Sequence, residues 1–91
     1  MKVRATIVVK GMVQGVGFRY YAYRHAKALG LQGYVRNMWD GSVTSEVEGE
    51  RGMVEEYIKA LTVGPRLASV RDVDVKWEEY SGEFFDFEIA F

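Results

Sequence analysis

Val3, Ala5, Ile7 and Val9 alternate with Arg4, Thr6, Val8 and Lys10. A period of two predicts a strand over 3–10 with one face buried. From Phe18 the period lengthens. Phe18, Ala22, Ala26 and Leu29 share one face of a helix, with Arg24 and Lys27 off that face, and Gly30 supplies a left-handed stop just past it. Leu31–Met38 and Ser42–Glu48 read as strands, and Asp40-Gly41 between them is a hairpin signal because the tight turn needs positive φ. In the third strand Val43, Ser45 and Val47 face one way, and Thr44, Glu46 and Glu48 the other. A second helix runs over about 50–63, where Val54, Tyr57, Ile58 and Leu61 have i, i+3, i+4, i+7 spacing. Glu50, Glu55 and Glu56 sit toward its positive end, and Gly64-Pro65 closes it. Val73, Val75 and Trp77 then alternate with Asp72, Asp74, Lys76 and Glu78. A turn around Ser81-Gly82 leads to a last strand with Phe85, Phe87, Ile89 and Phe91 on one face.

The order is β-α-β-β-α-β with an additional C-terminal strand. It predicts an α+β fold, a ferredoxin-like α/β sandwich in which two helices cover one face of a mainly antiparallel sheet. The first βαβ unit also makes a geometric prediction. Strands 3–10 and 31–38 point the same way, so their carboxyl ends emerge at one edge of the sheet. The glycine-rich segment after Lys10 leaves the first strand at that edge, and Asn37 sits near the end of the second. Residues about 20 apart in sequence are expected to meet at one site.

Composition narrows the picture without changing it. The chain has 91 residues, 48% of them hydrophobic and 14% aromatic, enough for one domain over 1–91 with a sizeable core. No linker, repeat or low-complexity segment divides it, and the chain begins and ends with its own strands, which favours an autonomous unit. The absence of cysteine excludes a disulfide or a thiolate nucleophile and fits a cytoplasmic protein. The first residues alternate and do not form the apolar block of a signal peptide, and no apolar run approaches a membrane span. Twelve Lys and Arg against 13 Asp and Glu leave a net charge of -1, which argues against a nucleic-acid partner. No helix face is left unpaired, so a monomer is expected.

The candidate chemistry lies in Gly11-Met12-Val13-Gln14-Gly15-Val16-Gly17-Phe18-Arg19. The dinucleotide pattern G-x-G-x-x-G fails, because Tyr20 stands where the third glycine belongs, and no Gly-Lys-Ser/Thr of a P-loop occurs. What remains is a nest of backbone N–H groups over Gln14, Gly15, Val16, Gly17, Phe18 and Arg19, opening a helix whose positive end favours an anion such as phosphate. Arg19 lies in the first turn, and its planar fork of donors matches two phosphate oxygens. The glycines could equally serve a tight, close-packed connection, Arg19 a surface position and Asn37 a turn. His25, the single histidine, lies inside the first helix and reads as a helix residue near a negative end. With one histidine, no cysteine and scattered acids, no metal-ligand spacing is present and no cofactor is implied. Tyr20, Tyr21, Tyr23 and the last phenylalanines read as core or helix surface. Asp40 reads as structural, held by the hairpin.

Two blocks together carry a resemblance. Gly11-x-Val13-Gln14-Gly15-Val16-Gly17-Phe18-Arg19 resembles one signature of the acylphosphatase family. Gly33-Tyr34-Val35-Arg36-Asn37-Met38-Trp39-Asp40-Gly41-Ser42-Val43 resembles its other, G-x-V-x-N-x-x-D-G-x-V. Length, element order and the Gly64-Pro65 step agree as well, so the resemblance spans essentially the whole chain, with no departure at the motif positions. It implies the same sandwich fold and metal-independent hydrolysis of a small-molecule acyl phosphate to a carboxylate and phosphate. It also implies that Arg19 binds the phosphate and Asn37 orients the attacking water. A ferredoxin-like RNA-binding module is the contrasting expectation. It would need exposed aromatics on the central strands and a basic face, whereas the first strand offers Val, Ala, Ile and Thr.

Overall fold

A computed structural model describes residues 1–91. The alternating start becomes β1 (Lys2–Met12), followed by α1 (Phe18–Ala28), β2 (Gln32–Asn37), β3 (Val43–Glu50), α2 (Arg51–Val63), β4 (Ser69–Glu79) and β5 (Phe87–Ala90). The five strands form one sheet in the order β4-β1-β3-β2-β5. All neighbours are antiparallel except β2 and β5. Because β1 and β2 both run against β3, they point the same way, and the expected juxtaposition of their carboxyl ends is present.

The period-two face of β1 meets the period-3.6 faces of the helices. Val3, Ala5, Ile7 and Val9 pack with Phe18, Ala22 and Ala26 of α1, with Val54, Tyr57 and Leu61 of α2, and with Val35, Val43, Val47 and Phe87 of the other strands. Burial of these side chains is the main favourable term for the fold, at about 25 cal/mol per Å² of apolar surface removed from water. Tyr57 is fully buried, and its hydroxyl is satisfied by Ser45 at 2.8 Å. Tyr21 ties the helices together by donating to the Ala60 carbonyl at 2.7 Å. Gly33 marks the closest strand approach: a Cβ there would lie 1.9 Å from the Glu46 carbonyl oxygen.

Three expectations change. The last strand covers only 87–90, and its regular alternation does not include Phe85 or Phe91, both of which are almost wholly exposed. The reason is local. Asp86 ends the preceding irregular segment: its carboxylate takes the Phe87 N–H and the Lys27 ammonium, and its carbonyl takes the Gly33 N–H. Only then does the chain align with β2, with Phe87 turned inward against Tyr57 and Tyr23. Gly11 belongs to β1 at a register shift against β4, where a Cβ would lie 2.2 Å from the Ser69 carbonyl oxygen, so the turn proper starts after Met12. Glu48 lies on the sheet face away from the helices, as its phase requires, yet is only 1% exposed because the segment around Ser81-Gly82 folds over it.

Candidate active site

The turn from β1 to α1 alternates anchors with open backbone. Val13 and Phe18 are buried in the core, and Val16 packs against it. Between them Gly15 and Gly17 take left-handed φ values of 74° and 76°, and a Cβ on either would meet nothing within 4 Å. Here glycine serves the backbone angle rather than close packing, and the space above the loop stays free.

Gly17 is the N-cap of α1 and brings no side-chain cap, and the first turn holds no acid. A serine or aspartate there would satisfy the first helical N–H groups itself. The N–H groups of residues 14–17 donate no hydrogen bond within the protein, and the helix begins with open donors above them. Arg19 adds a cation to this already positive end, an unfavourable placement for the helix by itself that a bound anion reverses. Its guanidinium has no carboxylate partner. One Nη donates to the Ala90 carbonyl at 3.2 Å, and its Cζ lies 4.9 Å from the centre of the Phe91 ring.

Gln14 has a second task. Its side-chain amide donates to the Met38 and Ser42 carbonyls at 2.7 and 2.9 Å, pinning the loop to the β2–β3 hairpin. The hairpin is itself closed by Asp40, whose carboxylate accepts from the Ser42 hydroxyl at 2.7 Å and the Ser42 N–H at 2.9 Å. These two bonds hold the Asp40 carboxyl below the usual carboxylate range. Asp40 is thus engaged in the turn, in keeping with its structural reading.

Asn37, the last residue of β2, stands across the opening. Its Oδ1 is buried and has no partner in the protein. A buried acceptor left unpaired is costly unless a water or ligand group completes it. Asn37 lines a hollow of about 270 Å³ together with Gly15, Gly17, Arg19 and Phe91. Loop and asparagine, adjacent only through the sheet, therefore share one site. Phe18 enters as the buried anchor below it. His25 is not part of it: its ring packs on Tyr21 at 4.5 Å, on the side of α1 that faces α2. Sequence reasoning missed Phe91 and the Ala90 carbonyl as neighbours of Arg19. The parallel register of β5 on β2, which pairs Arg36 with Ala90, puts them there, and no local pattern signals it.

Comparison with known proteins bears on the fold and the family. The sequence model of the family described as acylphosphatase matches residues 5–89. The acylphosphatase of Pelotomaculum thermopropionicum is 47% identical over 90 residues, spanning 99% of this chain and 98% of that one. The crystal structure of acylphosphatase from Bacillus subtilis superposes with a TM-score of 0.95 at 31% identity, covering 98% of this chain and 99% of that one. Full-length HypF in its phosphate- and nucleotide-bound form contains the same fold, with a TM-score of 0.90 at 32% identity over 99% of this chain but 12% of that longer one.

Proposed function

The chain belongs to the acylphosphatase family, an enzyme class, and from that premise we propose that the shared hollow hydrolyses a small-molecule acyl phosphate without metal, by the mechanism below. The loop N–H groups from Gln14 to Arg19 and the Arg19 guanidinium hold the phosphoryl oxygens. The observation that carries this reading is an uncapped helix start with an arginine in its first turn and no acid to neutralise it.

Water attacks phosphorus, the bond from phosphorus to the acyl oxygen breaks, and the carboxylate leaves with the electron pair. A carboxylate is stable without a proton, so no strong general acid is required. Phosphoryl transfer then rests on positioning and on charge stabilisation by donors already in place. Asn37 suits the positioning role: its unpaired Oδ1 accepts a hydrogen bond from water, while its amide donates to the phosphate. An amide takes no proton, and Asp40 is committed to Ser42. The substrate's own phosphate oxygen therefore receives the proton from the attacking water. The family supports the substrate class. The open loop, the fork of Arg19 and the orphaned oxygen of Asn37 support the roles. We further read the protein as a cytoplasmic monomer; no helix is long and apolar enough to cross a membrane.

Hydrolysis of benzoyl phosphate in the presence of a chelator tests the reading. Turnover with competitive inhibition by inorganic phosphate is expected, and a requirement for added metal would overturn the mechanism. Arg19→Lys isolates the planar fork: keeping the charge without the bidentate geometry should recover little of the activity.

A further inference from the structure

We propose that Tyr20 is a specificity-determining residue that meets the acyl group of the substrate and selects short, uncharged, apolar acyl groups, aromatic ones above all; the inference rests on the reading of the site above and deepens it. The lining of the hollow is of two kinds. Gly15, Gly17, Arg19 and Asn37 supply donors for the phosphoryl group and for water. Val13, Phe18, Tyr20 and Ile89 supply apolar and aromatic surface. Arg19 is the one charged side chain among the lining residues. Once it holds phosphate, a second anionic group on the acyl end would leave water without a cation to receive it. The volume of about 270 Å³ is below the roughly 300–1,000 Å³ usual for ligand sites, so the acyl group is short.

Among the apolar members Tyr20 is the one with surface to spare. Val13 and Phe18 are committed to the core, whereas Tyr20 is 60% exposed, so burial in the fold does not account for where it lies. It follows Arg19 directly in the first turn of α1, and both side chains line the hollow, so the two ends of one small molecule can meet both. The ring is held from its own helix. It lies nearly parallel to Tyr23, at 17° with 6.4 Å between ring centres, and the Arg24 Cζ is 5.9 Å from its centre. Tyr23 packs in turn on Phe87, which is buried against Tyr57. A run of aromatic rings thus ties an exposed tyrosine to the core, and a side chain already held in place loses little freedom when a ligand meets it.

An aromatic contact is worth about two- to tenfold in affinity. Tyr20→Ala should lower the ratio of kcat/KM for benzoyl phosphate to that for acetyl phosphate by about that factor, a comparison from which the intrinsic reactivity of the two anhydrides cancels. The inhibition constant of inorganic phosphate should stay within about twofold of the parent's, because the loop and Arg19 are untouched. Tyr20→Phe, which keeps the ring, should restore the parent ratio. In the parent, 3-carboxypropanoyl phosphate should show a KM no lower than that of acetyl phosphate. An unchanged ratio in Tyr20→Ala, a loss shared equally by both substrates, or a lower KM for the carboxylated one would overturn the inference. Calorimetric titration with phenacylphosphonate and acetonylphosphonate, in which a methylene replaces the anhydride oxygen, keeps the two proposals apart. The parent should bind the first more tightly by the same factor, and Tyr20→Ala should lose that preference; a parent with no preference would also overturn the inference. If the parent hydrolyses neither acyl phosphate, the functional reading falls, while this titration still decides the role of Tyr20.

Discussion

Two arginines stand at opposite ends of β1, each over a phenylalanine ring, and they do opposite things. Arg4 lies 5.2 Å from the Phe84 ring centre and Arg19 lies 4.9 Å from that of Phe91. In the plane of its guanidinium Arg4 is enclosed by acids. It pairs with Glu46 at 2.5 Å and with Glu83, donates to Ser81 Oγ at 2.9 Å, and lies 4.0 Å from Glu48. Glu48 in turn accepts from the Ser81 N–H and hydroxyl, both at 2.8 Å, and from the Gly82 N–H at 3.1 Å. The result is a latch that fastens residues 81–83 over the sheet. Arg19 has a carbonyl and an aromatic face, and no carboxylate. An arginine whose two Nη groups are both taken by carboxylates is structural, even with its buried Nε unpaired; one with a single carbonyl partner keeps donors for a ligand. The near-neutral composition averages over these two ends.

The largest expected split between them is in activity. Arg19→Ala should lower kcat/KM for benzoyl phosphate by about 10³-fold, the scale of losing a preorganised donor to transition-state charge, with little change in melting temperature. Arg4→Met should leave kcat/KM nearly unchanged in the folded protein. Equal losses in the two variants, measured by steady-state kinetics, would erase the distinction. Asn37→Ala comes next. Misplacing the water should cost roughly 10²-fold in kcat while phosphate inhibition stays close to that of the parent.

Stability reverses the order. Arg4→Met leaves the partly buried Glu46 and the buried Glu48 without their cation, at a cost of about 3 kcal/mol, and a melting temperature lower by more than roughly 10 °C is expected. Acid should reach the same end first. Burial alone would raise both carboxyls. For Glu48 the Ser81 and Gly82 donors and the charge of Arg4 outweigh it, and for Glu46 the Tyr34 hydroxyl and Arg4 do so. Both are therefore held below the usual carboxylate range. The unfolded chain then binds protons more readily than the folded one, so the stabilisation is present above about pH 4.3 and is lost as pH falls through the folded values. Chemical denaturation across this range should show a flatter acid limb in Arg4→Met and an unaltered one in Arg19→Ala.

The smallest effect is the cheapest to measure. Inorganic phosphate at about ten times its dissociation constant should stabilise the native state by roughly 1.4 kcal/mol, several degrees for a chain of this size. Arg4→Met should keep that shift and Arg19→Ala should lose most of it. A shift retained in Arg19→Ala would mean the anion binds elsewhere.

Much of this architecture is legible along the chain because it is written in local periods. The change from alternation at 3–10 to helical spacing from Phe18 reflects which face must be buried, and one buried layer between sheet and helices makes that choice self-consistent. The site was legible for the same reason: the direction of β1 and β2 follows from βαβ topology, so Asn37 comes to the glycine turn. Contacts between segments with no shared period could not be read. Gln14 belongs to the anion loop by sequence, but its side chain fastens the hairpin, a bond that exists only once both turns meet at one edge. Glu48 has the phase of an exposed residue and becomes buried because a distant segment covers it.

By itself, then, the sequence determines the order and phase of the elements, the uncapped start of α1 and the pairing of loop with asparagine, since each depends on backbone angles and nearby side chains. Only the tertiary structure decides which arginine is free. That is settled by what lies in the guanidinium plane, acids from β3 and the 81–83 segment for Arg4, a β5 carbonyl for Arg19, and those neighbours are 40 to 80 residues away along the chain.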